Sequence, residues 1–186
     1  MGWSSSGLTD RDTFGPVVAP EIGIAILRVV VGVWFLKAVW TKLGLVWMGP
    51  LPYPEVTPRF LGFHPRRVGE FAEGNPVGWY KEFLEGTVLP NATLFATLQA
   101  YGEVVVGIGL VLGLFTSLAA LVGLFLAINY GLATQWMGFG QQGFHALLVT
   151  SMAIFLFTRA GRAWGIDGWL VAGVPSRRWR WLRALL

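Results

Sequence analysis

Apolar residues dominate four stretches of the chain, at about 21–47, 93–114, 117–137 and 142–158. Each approaches the ~20 residues that an α-helix needs to cross a hydrocarbon layer. The first is interrupted by Arg28, Lys37 and Lys42, and the second carries one acid, Glu103. The third has no charge and holds Asn129 near its middle; the fourth is the shortest, has His145 near its start and can be extended by Phe139. Phe115 and Thr116 leave room only for a tight turn between the second and third stretches, which makes those helices antiparallel neighbours. The pattern predicts an all-α, integral membrane four-helix bundle with a long extracytoplasmic loop, 48–92, between helices 1 and 2.

Within that loop, Met48 to Pro54 cannot form a regular helix, because Pro50, Pro52 and Pro54 remove amide donors and disfavour helix in the residues before them. A short helix is expected over Pro65 to Phe71, with His64 and the two arginines after Pro65 solvated. Trp79, Phe83 and Leu84 fall at helical spacing and predict an amphipathic helix from Gly78 to Glu85, ending before Pro90 and Asn91 open the second span. The loop is expected to cap the outer mouth of the bundle, as cover or docking surface rather than as a direct substrate contact.

Composition supports the membrane reading. Of 186 residues 54% are hydrophobic and 13% charged, against roughly 25% charged in a soluble domain. The length allows one domain, 1–186. The absence of Cys excludes disulfides, thiol catalysis, iron–sulfur clusters and thiolate zinc sites. His64 and His145 are too far apart in sequence to suggest a bis-His haem, so no haem, iron–sulfur cluster or metal is expected within this chain. Met1 to Pro20 is polar and lacks a basic start, so it is read as no cleavable signal, with the first helix retained.

Charge sets the expected orientation. The segment 159–186 contains Arg159, Arg162, Arg177, Arg178, Arg180 and Arg183 against Asp167 alone, whereas the long loop mixes both signs. The basic tail is therefore cytoplasmic, the N-terminus with it, and the loop lies outside. Arg and Trp alternate in the tail, which reads as an anchor to anionic headgroups of the lipid bilayer; no nucleic-acid partner is expected.

Ionisable groups inside spans cost about 2.5–3.5 kcal/mol on insertion scales and usually face the bundle interior with a partner. Arg28, Gly32, Phe35, Val39 and Lys42 share one stripe of the first helix, with Lys37 opposite; Gln99, Glu103 and Gly107 share one stripe of the second. Counting ~1.5 Å per residue from the helix ends brings Arg28 and Glu103 within about one turn in depth, so these two are expected to meet. Asn129 lies near the depth of Glu103, and His145 near that of Lys42. Two readings follow. The charges are a structural ion pair with Lys37 and Lys42 reaching the headgroups, or they line a site for a noncovalently bound quinone headgroup or small oxyanion. In the second reading Glu103 and His145 transfer protons, and Arg28, Lys42, Gln99 and Asn129 bind the ligand. Gly102, Gly107, Gly109 and Gly113 suit close helix packing on the second span.

Leu27-Arg28-Val29-Val30-Val31-Gly32-Val33-Trp34-Phe35-Leu36 followed by Lys42 resembles the opening of the DoxX/DoxD family of small four-span membrane proteins. The resemblance continues through Tyr101-Gly102-Glu103-Val104-Val105-Val106-Gly107, Leu112 to Ala120, and the closing Ala160-Gly161-Arg162-Ala163-Trp164-Gly165-Ile166-Asp167. Asn75 to Tyr80 and Asn91 are similar to the DoxD-type branch, while Ser117 stands where the family often has Arg. The resemblance implies a membrane subunit of thiosulfate:quinone oxidoreductase, working with a DoxA-like or other redox partner chain, with Arg28, Lys42 and Glu103 at matched polar positions. The expected function is thus electron transfer to quinone, plausibly from thiosulfate. The alternative is a noncatalytic accessory or assembly subunit of a larger respiratory or photosynthetic complex. Homo-oligomerisation suits so small a bundle under either reading.

Overall fold

The computed structural model describes residues 19–173; the arginine-rich end of the tail lies outside the described residues. Helix α1 spans Pro20–Val39. Pro20 sits in its first turn, where the fixed φ suits a helix and the missing amide costs no bond. The helix stops well short of Trp47, because Leu43–Met48 forms strand β1 and pairs antiparallel with β2, Leu51–Val56. The fold is therefore mainly helical with a small two-stranded sheet, not purely α. Met48 opposes Leu51, leaving Gly49 and Pro50 as a two-residue turn, and Gly49 at φ 64° supplies the positive φ that such hairpin turns need. Pro52 and Pro54 oppose Trp47 and Leu45, alternate positions whose amides turn away from the partner strand. They remove donors only from the free edge, where Pro54 carbonyl accepts the Tyr101 hydroxyl at 2.7 Å.

Helix α2, Pro58–Glu73, is longer than expected and runs straight through Pro65. The Thr57 side chain caps it by accepting from Phe60 N at 3.3 Å, and Phe60, His64, Val68 and Ala72 recur every four residues on its buried face. His64 is therefore buried, not solvated. Helix α3, Gly78–Phe83, follows and continues into a π-helical turn, Leu84–Val88. Tyr80, Leu84 and Val88 are its buried residues, while Trp79 is exposed. Asn75 donates to Leu132 carbonyl at 2.9 Å and Tyr80 donates to Asn129 carbonyl at 3.0 Å. Those bonds fasten the loop region to a later helix, Thr116–Thr134, rather than to the one that follows it directly.

Helices α4 (Ala92–Leu112), α5 (Thr116–Thr134) and α6 (Phe139–Thr158) complete the set of long helices. The segments Ala92–Leu112 and Thr116–Met137 are long and apolar enough to cross a membrane. α1 packs on α4, α4 on α5, α5 on α6, and α6 returns to α1. Phe35, Val106, Leu110, Ala120, Ala127, Met152 and Phe155 fill the centre. Gly32 makes the α1–α4 approach feasible, since a Cβ there would lie 2.8 Å from the Val111 amide nitrogen.

At the other end, Gly113 and Phe115 both adopt positive φ in the turn between α4 and α5. Asp167, at the start of α7 (Ile166–Gly173), is fully buried and accepts from Phe115 N at 2.7 Å and Thr116 N at 2.8 Å. Its own amide donates to Gly113 carbonyl at 2.8 Å. The left-handed Phe115, unfavourable for a residue with a Cβ, is thereby held by a carboxylate on the two amides that open α5.

Candidate polar site

Glu103 is buried on α4, and its carboxylate collects donors from three directions. Lys42 Nζ lies 2.6 Å from Oε1 and 2.5 Å from Oε2; the Tyr130 hydroxyl donates to Oε1 at 2.5 Å and Gln99 Nε2 at 3.3 Å. Four residues on α4, α5 and the segment after α1 thus form one network. Lys42 is positioned by the chain's return from the hairpin, because its carbonyl accepts Thr57 N at 2.9 Å and Thr57 Oγ1 at 3.3 Å. Its ammonium also sits 5.1 Å from the centre of the Phe60 ring.

The ion pair expected between Arg28 and Glu103 is not formed. Arg28 Nη2 instead donates to Trp164 carbonyl at 3.0 Å and more weakly to Ala163 carbonyl at 3.5 Å, beside Gly113 and Gly165. The reason is register: Gly32 packs against Val111 and Leu36 against Gly107, so Arg28 lies at Gly113 in the α4–α5 turn rather than at Glu103. Lys42, in the turn beyond the far end of α1, arrives at the carboxylate in its place. Lys37 is exposed, as its stripe predicts.

His64 joins the site from α2. Its ring meets Phe60 edge-on with centroids 5.7 Å apart, and its Nδ1 is buried with no hydrogen-bond partner. Burial, reinforced by the Lys42 charge, pushes its imidazole below its ordinary range, while the Gln99 side chain opposes that shift. Burial also pushes the Tyr80 phenol up to about 12, so it remains a hydrogen-bond donor.

His145, buried on α6, approaches from the other side with its ring 6.4 Å from that of Tyr130. Its Nε2 lies 2.9 Å from Thr134 Oγ1, and that hydroxyl gives its proton to Tyr130 carbonyl at 2.8 Å. With its single proton committed, Thr134 must accept, so the network assigns the hydrogen to Nε2 and leaves Nδ1 as a bare lone pair. That Nδ1 is buried and unpartnered. Asn129 stands apart: its amide donates to Phe125 carbonyl at 2.8 Å on its own helix.

The structure thus brings together Lys42, Gln99 and Glu103, flanks them with His145, and leaves Arg28 and Asn129 elsewhere. Tyr130 is a member that the sequence reading passed over, and His64 one that it read as solvated. A tyrosine inside an apolar helix signals a hydroxyl in need of a partner, and the Phe60, His64, Val68 spacing marks the buried face of α2 once Thr57 is recognised as its cap. Chemically, the cluster joins a carboxylate, an ammonium, a phenol and two imidazoles in a region of little water, where protons can be held or passed over short distances.

Among protein families, residues 24–185 match the model of DoxD, described as the TQO small subunit. No solved structure matches the chain.

Proposed function

The chain belongs to the DoxD family, and from that premise we propose that it is the membrane-embedded small subunit of a quinone-linked oxidoreductase, with thiosulfate as electron donor and a DoxA-like or other redox chain as partner. The observation that supports this reading is the buried Lys42–Glu103–Tyr130 network. A quinone headgroup, when bound, supplies two carbonyl oxygens that accept hydrogen bonds and take up protons with electrons. The donor set present fits that chemistry. Glu103 holds a proton acceptor at mid-network, Tyr130 offers it a phenolic hydrogen bond, and Lys42 donates to both carboxylate oxygens. His64 and His145 each keep a buried ring nitrogen available for a ligand. The four long helices cross the bilayer, both termini face the cytoplasm and the hairpin with α2 and α3 faces outward.

The test separates catalysis from packing. Glu103→Gln alone leaves Lys42 as an unpaired buried cation, at a cost of about 3–5 kcal/mol. The double variant Lys42→Met with Glu103→Met removes both charges and is expected to restore most of that stability. Thiosulfate-dependent quinone reduction, assayed in membranes with the partner chain present, is expected to fall at least ~100-fold in the double variant. Full turnover in a stable double variant overturns the assignment and leaves the network as a structural pair in an accessory subunit.

A further inference from the structure

At the end of the bundle opposite the Glu103 network, a groove of about 220 Å³ lies between the first turn of α1 and the segment that leaves α6. Pro20, Ile24 and Ala163 give it apolar walls, and Arg159, Arg162 and Glu21 are its charged members. Arg159 caps α6 in a left-handed conformation, φ 51°, which turns the chain off the helix axis. Its side chain is exposed. Among the described lining residues two guanidiniums stand against one carboxylate, with Arg159 exposed, and the positive end of the α1 dipole opens onto them.

Guanidinium groups bind phosphate oxygens through paired, charge-assisted hydrogen bonds. An apolar wall beneath that charge adds nothing for a free inorganic anion and favours an amphiphile. Basic pockets between membrane helices on the cytoplasmic side bind anionic headgroups in this way. We propose that this groove is a binding site for one anionic phospholipid, its phosphate on Arg159 and Arg162 and the upper part of its acyl region against Pro20, Ile24 and Ala163. The assignment rests on the membrane reading above and is independent of the quinone chemistry. Glu21 moderates the site, lowering its affinity for the headgroup.

Native mass spectrometry of the full-length protein in mild detergent, titrated with phosphatidylglycerol or phosphatidylcholine, tests the site. Phosphatidylglycerol is expected to be retained at about tenfold lower concentration than phosphatidylcholine, and Arg159→Gln to weaken that retention about tenfold. Arg159→Lys should keep most of it. Glu21→Gln should tighten it, a gain that a misfolded variant cannot produce. Equal retention of the two lipids, or phosphatidylglycerol binding unchanged in both Arg159→Gln and Glu21→Gln, overturns the proposal. Displacement of the lipid by inorganic phosphate at equal concentration also overturns it, since the groove would then be a free-anion site. Tenfold tighter lipid binding after removal of residues 1–18 overturns it in favour of the chain's own N-terminal segment as occupant. A protein that stays monodisperse without detergent rejects the membrane reading itself, an outcome separate from any difference between lipids.

Discussion

Lys42 and Glu103 stand 2.5 Å apart where neither is well hydrated, so their attraction must offset two desolvation costs. Tyr130 and Gln99 complete the carboxylate's coordination, which is the condition under which a buried pair is tolerated. Tyr130→Phe keeps the ion pair and removes one charge-assisted bond. It is expected to cost about 1.5–3 kcal/mol in detergent unfolding and to slow quinone reduction by about 10–100-fold in the same membrane assay. His64 gives a pH signature. Its folded imidazole is held below the ordinary 6.5, so the unfolded chain binds the extra proton first. The stability it contributes is complete above pH 6.5 and is lost on acidification below that value. Melting temperature measured between pH 8 and 5 should fall more steeply for the parent chain than for His64→Gln. The stripe arithmetic put Gln99 and Glu103 on one face of α4, where they bond to each other, because side-chain direction follows from spacing along one helix; Lys42 falls beyond the end of α1, so its stripe did not place it. It paired Glu103 with Arg28 because depth was counted from helix ends, and the offset between two helices is a tertiary quantity that no single helix encodes.

Elements show the same division. The run Leu43 to Met48 is apolar enough to continue a helix, and periodicity alone cannot separate a short apolar strand from a helical turn; pairing with Leu51 to Val56 decides it. Pro65 argues for a helix start, yet α2 passes through it, since the buried face carried by Phe60, His64, Val68 and Ala72 outweighs one lost amide bond. The turn between α4 and α5 was legible as short but not as a clamped structure. Asp167 arrives there from 51 residues away, a contact invisible to local pattern. Gly113 adopts φ 62°, and a Cβ on it would collide with the Arg28 guanidinium. Gly113→Ala is therefore expected to destabilise by more than the 1–2 kcal/mol of a left-handed alanine alone. Asp167→Asn places an amide donor against one of two backbone donors and should cost about 3 kcal/mol. Thermal unfolding in detergent measures both, and a loss below 0.5 kcal/mol in either variant removes the clamp.

For the whole molecule, a mainly helical chain with apolar helices long enough to cross a membrane is what composition and spacing led us to expect, and the motif order read over about 21–167 agrees with the family match over residues 24–185. In the segment 48–92 the two helices were legible, although α2 starts earlier than expected, but the hairpin was not, because its Pro-rich second strand masks the strand pattern. The absence of native Cys lets single introduced thiols report the proposed topology directly. Glu73→Cys and Gln141→Cys should react with an impermeant maleimide in intact cells, and Arg162→Cys only after permeabilisation; the reverse pattern inverts the orientation. The clamp at Asp167 also sets an order of assembly. Arg28, Gly113, Phe115 and Thr116 leave the ribosome long before the Trp164 carbonyl, the Asp167 amide and the Asp167 carboxylate that bond to them. During synthesis the first three long helices must therefore associate with an unanswered guanidinium and an unlatched turn between them. The turn between α4 and α5 is locked only when Asp167 arrives, and a nascent chain halted before Asp167 holds its helices without the latch.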